Sequence, residues 1–150
     1  WYGRGPHENH IDRLSSAPIA RYDASVSSWV TPYVRPQENA NRCDVRWLSL
    51  TDASGAGLRM DAPPGNPLSA SAWPYSMADL ETASHATALR VRDTITVNLD
   101  HIQMGIGGDN SGGLPVNEPY RIRTSGTRNW SFVLRPVPAP ASAQSALPVH

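Results

Sequence analysis

The sequence predicts a mainly β fold, an antiparallel β-sandwich with at most one short helix. Three observations carry that prediction. Residues 89–100 alternate, with Leu89, Val91, Ile95, Val97 and Leu99 on odd positions and Arg90, Arg92, Thr94, Thr96, Asn98 and Asp100 on even ones. Strand side chains change face with a period of two, so this reads as a strand with one buried and one wet face. The 150 residues include 14 Pro and 11 Gly, which favours turns and short elements over long helices. Short β-prone runs also lie on either side of turn residues, the pattern of hairpins.

In chain order, residues 1–13 (WYGRGPHENHIDR) have no periodicity and read as a structured loop, since linkers rarely carry Trp, Tyr and Ile. Residues 15–44 read as irregular, with Pro18, Pro32 and Pro36 forcing extended or turn geometry. Val45–Thr51 and Gly57–Ala62 flank the turn Asp52-Ala53-Ser54-Gly55 and predict a β-hairpin. Leu68–Tyr75 predicts another strand. Ser76 with Asp79 three residues later resembles a capping box, opening a short helix to about Ser84 with Met77 and Leu80 facing inward. After the 89–100 strand comes Met104-Gly105-Ile106-Gly107-Gly108-Asp109-Asn110-Ser111, with three glycines in four residues. A strand that delivers a polar, glycine-shaped loop is a common way to place a site on a scaffold, and this loop is the candidate point of contact with a ligand. Pro119–Thr124 and Asn129–Leu134 predict a last hairpin with Trp130, Phe132 and Leu134 on one face. The sequence divides into a β domain over 1–135 and a Pro/Ala-rich tail over 136–150.

Charge and composition exclude several functions. Formal net charge is zero, so there is no electrostatic case for a nucleic-acid or anionic-membrane partner. All 13 basic residues are Arg, and without Lys there is no P-loop, Schiff-base or Ser–Lys chemistry. No apolar run approaches the ~20 residues of a membrane span, and no signal peptide is visible. Cys43 stands alone, which fits a small buried hydrophobe in a reducing, cytoplasmic compartment. With Trp1 opening straight into dense motif, the chain reads as a piece of a longer polypeptide.

Four motifs invite chemistry, and none secures it. His7-Glu8-Asn9-His10 is one residue short of the spacing that puts two imidazoles on one helical face, so hydrogen-bonded loop packing is expected there and no metal site. Gly105-Ile106-Gly107-Gly108 lacks the third glycine of a dinucleotide fingerprint, because residue 110 is Asn. The carboxylates Glu8 with Asp12, Asp79 with Glu81, and Asp100 with Asp109 have no context that predicts a raised pKa, and glycosidases need one such group. Asn129-Trp130-Ser131 matches a glycosylation sequon by chance. The five Trp and five Tyr suit sugar stacking and a β core equally well.

Three blocks together point further. WYGRGPHENHIDR (1–13), TPYVRPQENANRCDVRW (31–47) and NLDHIQMGIGGDNS (98–111) resemble, in this order and at similar spacing, the C-terminal domain of the large bacterial β-galactosidases of glycoside hydrolase family 2. The resemblance covers roughly residues 1–135. It implies the later part of a β-galactosidase super-sandwich at the end of a five-domain enzyme that hydrolyses terminal β-D-galactosyl groups, as in lactose. The two catalytic glutamates, the magnesium and the sodium would lie in a TIM-barrel domain outside this chain. No catalytic residue, metal ligand or cofactor is therefore expected in the segment, and the isolated chain is expected to be inactive.

By the same resemblance, the loop leans over the active-site mouth. Asp109, Asn110, Ser111 and Gly112 would line the outer sugar subsite, while Met104, Gly105, Gly107 and Gly108 shape the loop. The family carries a sugar-stacking Trp just after Asp-x-Ser; here Gly112 and Gly113 stand there. The implied partners are the β-galactoside substrate, the rest of the chain or a large subunit, and further copies in a homo-oligomer. The competing class is a non-catalytic carbohydrate-binding or oligomer-interface β-sandwich module.

Overall fold

The computed structural model describes residues 1–110 and 113–141. The strands are β1 (Tyr2–Arg4), β2 (Ile19–Arg21), β3 (Arg42–Val45), β4 (Trp47–Thr51), β5 (Gly57–Asp61), β6 (Leu68–Trp73), β7 (Thr96–Asp100) and β8 (Val133–Val137). Two short helices, α1 (Val26–Trp29) and α2 (Met77–Thr82), interrupt them. A five-stranded sheet runs β2-β1-β4-β5-β8 and a three-stranded sheet runs β3-β6-β7, antiparallel at every pairing. This is the predicted β-sandwich, with one short helix, α1, beyond the single one the sequence allowed for. Among the described residues no helix is long and apolar enough to cross a membrane.

The β4–β5 hairpin forms where the turn residues place it. Asp52 accepts from the Ser54 N–H at 2.8 Å, its own N–H donates to Ala56 O at 2.8 Å, and Gly55 takes a φ of +84°. Trp47↔Asp61 through Thr51↔Gly57 then pair in register. Both sheets contribute to one core: Leu48 and Met60 of the five-stranded sheet cluster with Val45, Ala70, Ala72 and Trp73 of the three-stranded one, together with Trp1, Trp29 and Leu80. Strand β6 is buried along its whole length, and its Ser69-Ala70-Ser71-Ala72 run is small enough to sit between β3 and β7.

The capping box is present: Ser76 Oγ accepts from the Asp79 N–H, and Asp79 accepts from the Ser76 N–H at 2.8 Å. The helix ends at Thr82, short of Ser84. Leu80 is buried as expected, but Met77 is half exposed. Helical side chains lean toward the N-terminus, so at the first helical position Met77 projects off the end of α2.

Two strand predictions need correction. The strand placed at 89–100 begins only at Thr96, opposite Trp73. Before it, Arg92 donates its N–H to Pro74 O at 2.9 Å and its guanidinium to Asp79 at 2.7 Å, which ties the chain to the start of α2 and away from a ladder. Val91 is left exposed. The hairpin placed at 119–134 does not form either. Residues 118–120 make a 3₁₀ turn, and Val133–Val137 pairs instead with β5, from Asp61↔Val133 to Gly57↔Val137. Trp130 and Phe132 do share a face, stacked 5.8 Å apart, although both remain exposed. Pro136 is accommodated in β8, the outermost strand of its sheet.

Strands β1, β2 and most of β3, with helix α1, lie in stretches read as irregular. Three-residue strands are too short to show a period. They are held by distant partners, such as the Trp1 ammonium on Tyr22 O at 2.8 Å.

Candidate functional site

The loop after β7 is positioned from the other end of the chain. Asn9 begins the connection: its N–H donates to Asn41 O and its Oδ1 accepts from the Cys43 N–H, both at 2.9 Å. Asn41 returns an amide bond to Asn9 O at 2.8 Å, and both side chains are buried. Glu8 adds a second weld, accepting from Tyr33 OH at 2.9 Å and from the Ala40 N–H at 2.8 Å, with His10 Nε2 at 3.2 Å. Burial pushes this carboxyl up, but the bonds from His10, Thr31, Ala40 and Tyr33 outweigh it and bring the pKa to about 2. The His-Glu-Asn-His run is thus loop packing, as expected.

From this base Asp12 and Arg13 face the loop. The Asp12 side chain is 3% exposed, and its Oδ2 accepts from the Gly107 N–H at 2.8 Å. Burial works against its charge, but the N–H groups of Gly107 and Ile106, helped by the neighbouring Arg13, hold its pKa below the usual carboxylate range. Arg13 Nη2 donates to the Gly107 carbonyl and lies 3.4 Å from Asp109 Oδ1.

The predicted residues fall as follows. Gly105 is buried, and a Cβ there would come within 2.7 Å of the Asp12 carboxyl. Gly107 takes a φ of +67° and Gly108 +78°, left-handed conformations that make glycine the natural residue at both. Met104 and Ile106 are 49% and 56% exposed and line the cleft behind the loop. Asp109 is exposed with both oxygens engaged, one by Arg13 and the other by the Asn117 amide at 2.8 Å. Asn110 Oδ1 accepts from the Leu114 N–H at 3.3 Å. Ser111 and Gly112 lie outside the described residues.

Behind the loop is a cleft of about 470 Å³ lined by His10, Glu38, Asn41, Asp100, Gln103 and Ile122, among others. Gln103 Nε2 bridges Glu38 at 3.2 Å and Asp100 at 3.0 Å. Among the described residues no group of three or more His, Cys, Asp or Glu side chains could hold a metal ion. Glu8, Asp12, Asp52, Asp61 and Asp79 are all held below the ordinary carboxylate range, the wrong direction for a general acid. Cys43 is buried, its thiol pushed up to about 11, and inert. Sequence reasoning missed Asp12 and Arg13 as loop-holding residues, because they stand more than ninety positions from Gly107 and no local pattern marks the pairing.

The molecule is therefore an antiparallel β domain that fixes one glycine-rich loop by polar ties from its amino-terminal block. Residues 1–134 match the family described as beta galactosidase small chain. The chain is 40% identical over 137 residues to the beta-galactosidase of Priestia megaterium, an alignment covering 91% of this chain and 13% of that protein. Against the beta-galactosidase of Lactobacillus delbrueckii subsp. bulgaricus identity is 39% over 137 residues, with the same coverages. Against that of Vibrio cholerae it is 40% over 122 residues, covering 81% of this chain and 11% of the relative. This chain belongs to the β-galactosidase small-chain family. It spans about an eighth of the length of these curated relatives.

Proposed function

We propose that this chain is the C-terminal, non-catalytic β-sandwich of a β-galactosidase. In the complete enzyme it supplies a rim loop to an active site built elsewhere, in the rest of the polypeptide or in a large subunit. That enzyme hydrolyses terminal β-D-galactosyl groups, lactose among them, by a retaining mechanism with two glutamates, and it works in the cytoplasm as a homo-oligomer. Its magnesium and sodium belong with the catalytic domain. The observation that carries the reading is the loop at Met104–Asn110, exposed at Met104, Ile106 and Asp109 yet tied down at Gly105 and Gly107, in a chain of this family.

Support for an incomplete sandwich comes from an open apolar groove of about 700 Å³, walled by Leu58, Met60, Val97, Leu99, Phe132 and Leu134. Apolar surface of this kind is usually covered by a partner. We assign it to the upstream part of the same polypeptide, so the chain made alone should self-associate. The same groove favours the second reading, a free-standing binding or interface module. A well-folded monomer that bound galactosides by calorimetry would support that module and sink the first reading.

The direct test is Asp109→Ala in the full-length enzyme. Loss of one subsite contact should lower kcat/KM for lactose and for an aryl galactoside by about tenfold. Wild-type values on both substrates would end the subsite role.

A further inference from the structure

We infer that Asp12 and Arg13 are the positioning residues of the rim loop and together set how far it reaches across the outer sugar subsite; the inference rests on the rim reading above. Gly107 is held by both of its backbone polar groups, and by two consecutive residues from the far end of the chain. Its N–H goes to Asp12 Oδ2 at 2.8 Å, and its carbonyl accepts from Arg13 Nη2. The side chains of Met104 and Ile106 do not perform this task, because they are apolar, half exposed and line the cleft. What fixes the loop is polar.

The Asp12 side chain is nearly closed to water, so its charge leans on the N–H donors the loop brings, with Arg13 Nη1 3.5 Å away as the nearby cation. A buried carboxylate that lost them would be costly, and this pins the Gly107 N–H within hydrogen-bonding distance of one point. Gly105 leaves the room: a Cβ would meet Asp12 Cγ and Oδ2 at 2.7 Å and Tyr120 Cβ at 2.9 Å, while the Gly105 N–H donates to Tyr120 O at 3.0 Å. Arg13 then extends the tie outward to Asp109, whose second oxygen takes the Asn117 amide. Position 108 has nothing within 4 Å of where a Cβ would stand, so the loop opens to solvent on that side between the two tied residues, Gly107 and Asp109.

The test is Asp12→Asn in full-length β-galactosidase, which keeps the shape and removes the charge. We expect KM for lactose, which fills the outer subsite, to rise about tenfold. Inhibition by free galactose, which fills only the inner subsite, should stay within about twofold, and Tm within about 3 °C. Gly105→Ala, which crowds the same carboxylate, should reproduce the pattern. If Asp12→Asn fails to fold, Arg13→Gln carries the same expectation, since the Arg13 side chain is 42% exposed. An unchanged lactose KM, or equal loss on lactose and galactose with a falling Tm, overturns the inference. Asp109→Ala separates the two layers. If it raises the lactose KM while Asp12→Asn does not, the rim reading stands and the positioning role falls; if neither moves it, both fall.

Discussion

Arg42 lays its guanidinium against Trp29, 4.9 Å from the ring centroid, in a part of the core closed to water. Trp1 lies on the same cation at 5.5 Å, and the Ala40 and Asn41 carbonyls accept from Nη1 at 3.0 and 3.3 Å. Burial lowers the Arg42 pKa to about 10, with Glu8 opposing, so the group stays charged at neutral pH. Arg42 Nε has no partner among the described residues. Arg42→Ala should cost about 2–4 kcal/mol, seen as a lower urea midpoint of the full-length protein. Arg42→Met keeps the stem's packing and removes the unpaired donor, so it should fall within about 1 kcal/mol of wild type.

Glu8 makes stability depend on acid. Its pKa is near 2 in the fold against 4.5 for the free side chain. A depressed carboxyl stabilises the fold above the unfolded value and loses that contribution as pH falls through the folded one. The contribution is on the order of 3 kcal/mol, complete above pH 4.5 and shrinking toward pH 2. Unfolding curves of wild type and Glu8→Gln should differ at pH 6 and converge as pH is lowered. Parallel curves would exclude this linkage.

The β4–β5 hairpin should not tolerate a methyl group at Gly57. A Cβ there would lie 1.9 Å from Leu50 O and 2.7 Å from Thr51 Cα, both backbone atoms that cannot swing aside. Gly57→Ala should cost about 2–4 kcal/mol by displacing the strand. At Gly65 nothing lies within 4 Å, so only its φ of +78° penalises alanine, at about 1 kcal/mol. Urea midpoints of the two variants give the ranking.

Ser76→Ala should remove the cap of α2 for about 1 kcal/mol. Because Asp79 bonds both Ser76 and Arg92, the same variant should also loosen 89–95, seen as faster amide exchange at Arg92, whose N–H is held by Pro74 O.

What the sequence made legible was local. The 47–61 hairpin could be read because Asp52, Ser54 and Gly55 close their own turn, and α2 because Ser76 and Asp79 cap each other. Alternation misled at 89–95, where Arg92 found Asp79 instead of a neighbouring strand. At 119–134 the turn residues 125–128 misled instead, because Val133–Val137 took β5 as partner across more than seventy residues. At the site, the glycines at 105, 107 and 108 announced a shaped loop. The side chains holding it came from positions 12 and 13, which only the folded chain brings near.

Pro136 has one more consequence. It sits opposite Leu58 in β8, and a proline persists in a ladder where its missing N–H faces away from the neighbouring strand. The outer margin of the five-stranded sheet therefore lacks a donor at that step. An incoming strand from another molecule would find the row of amides broken there, which disfavours strand-to-strand stacking along this edge.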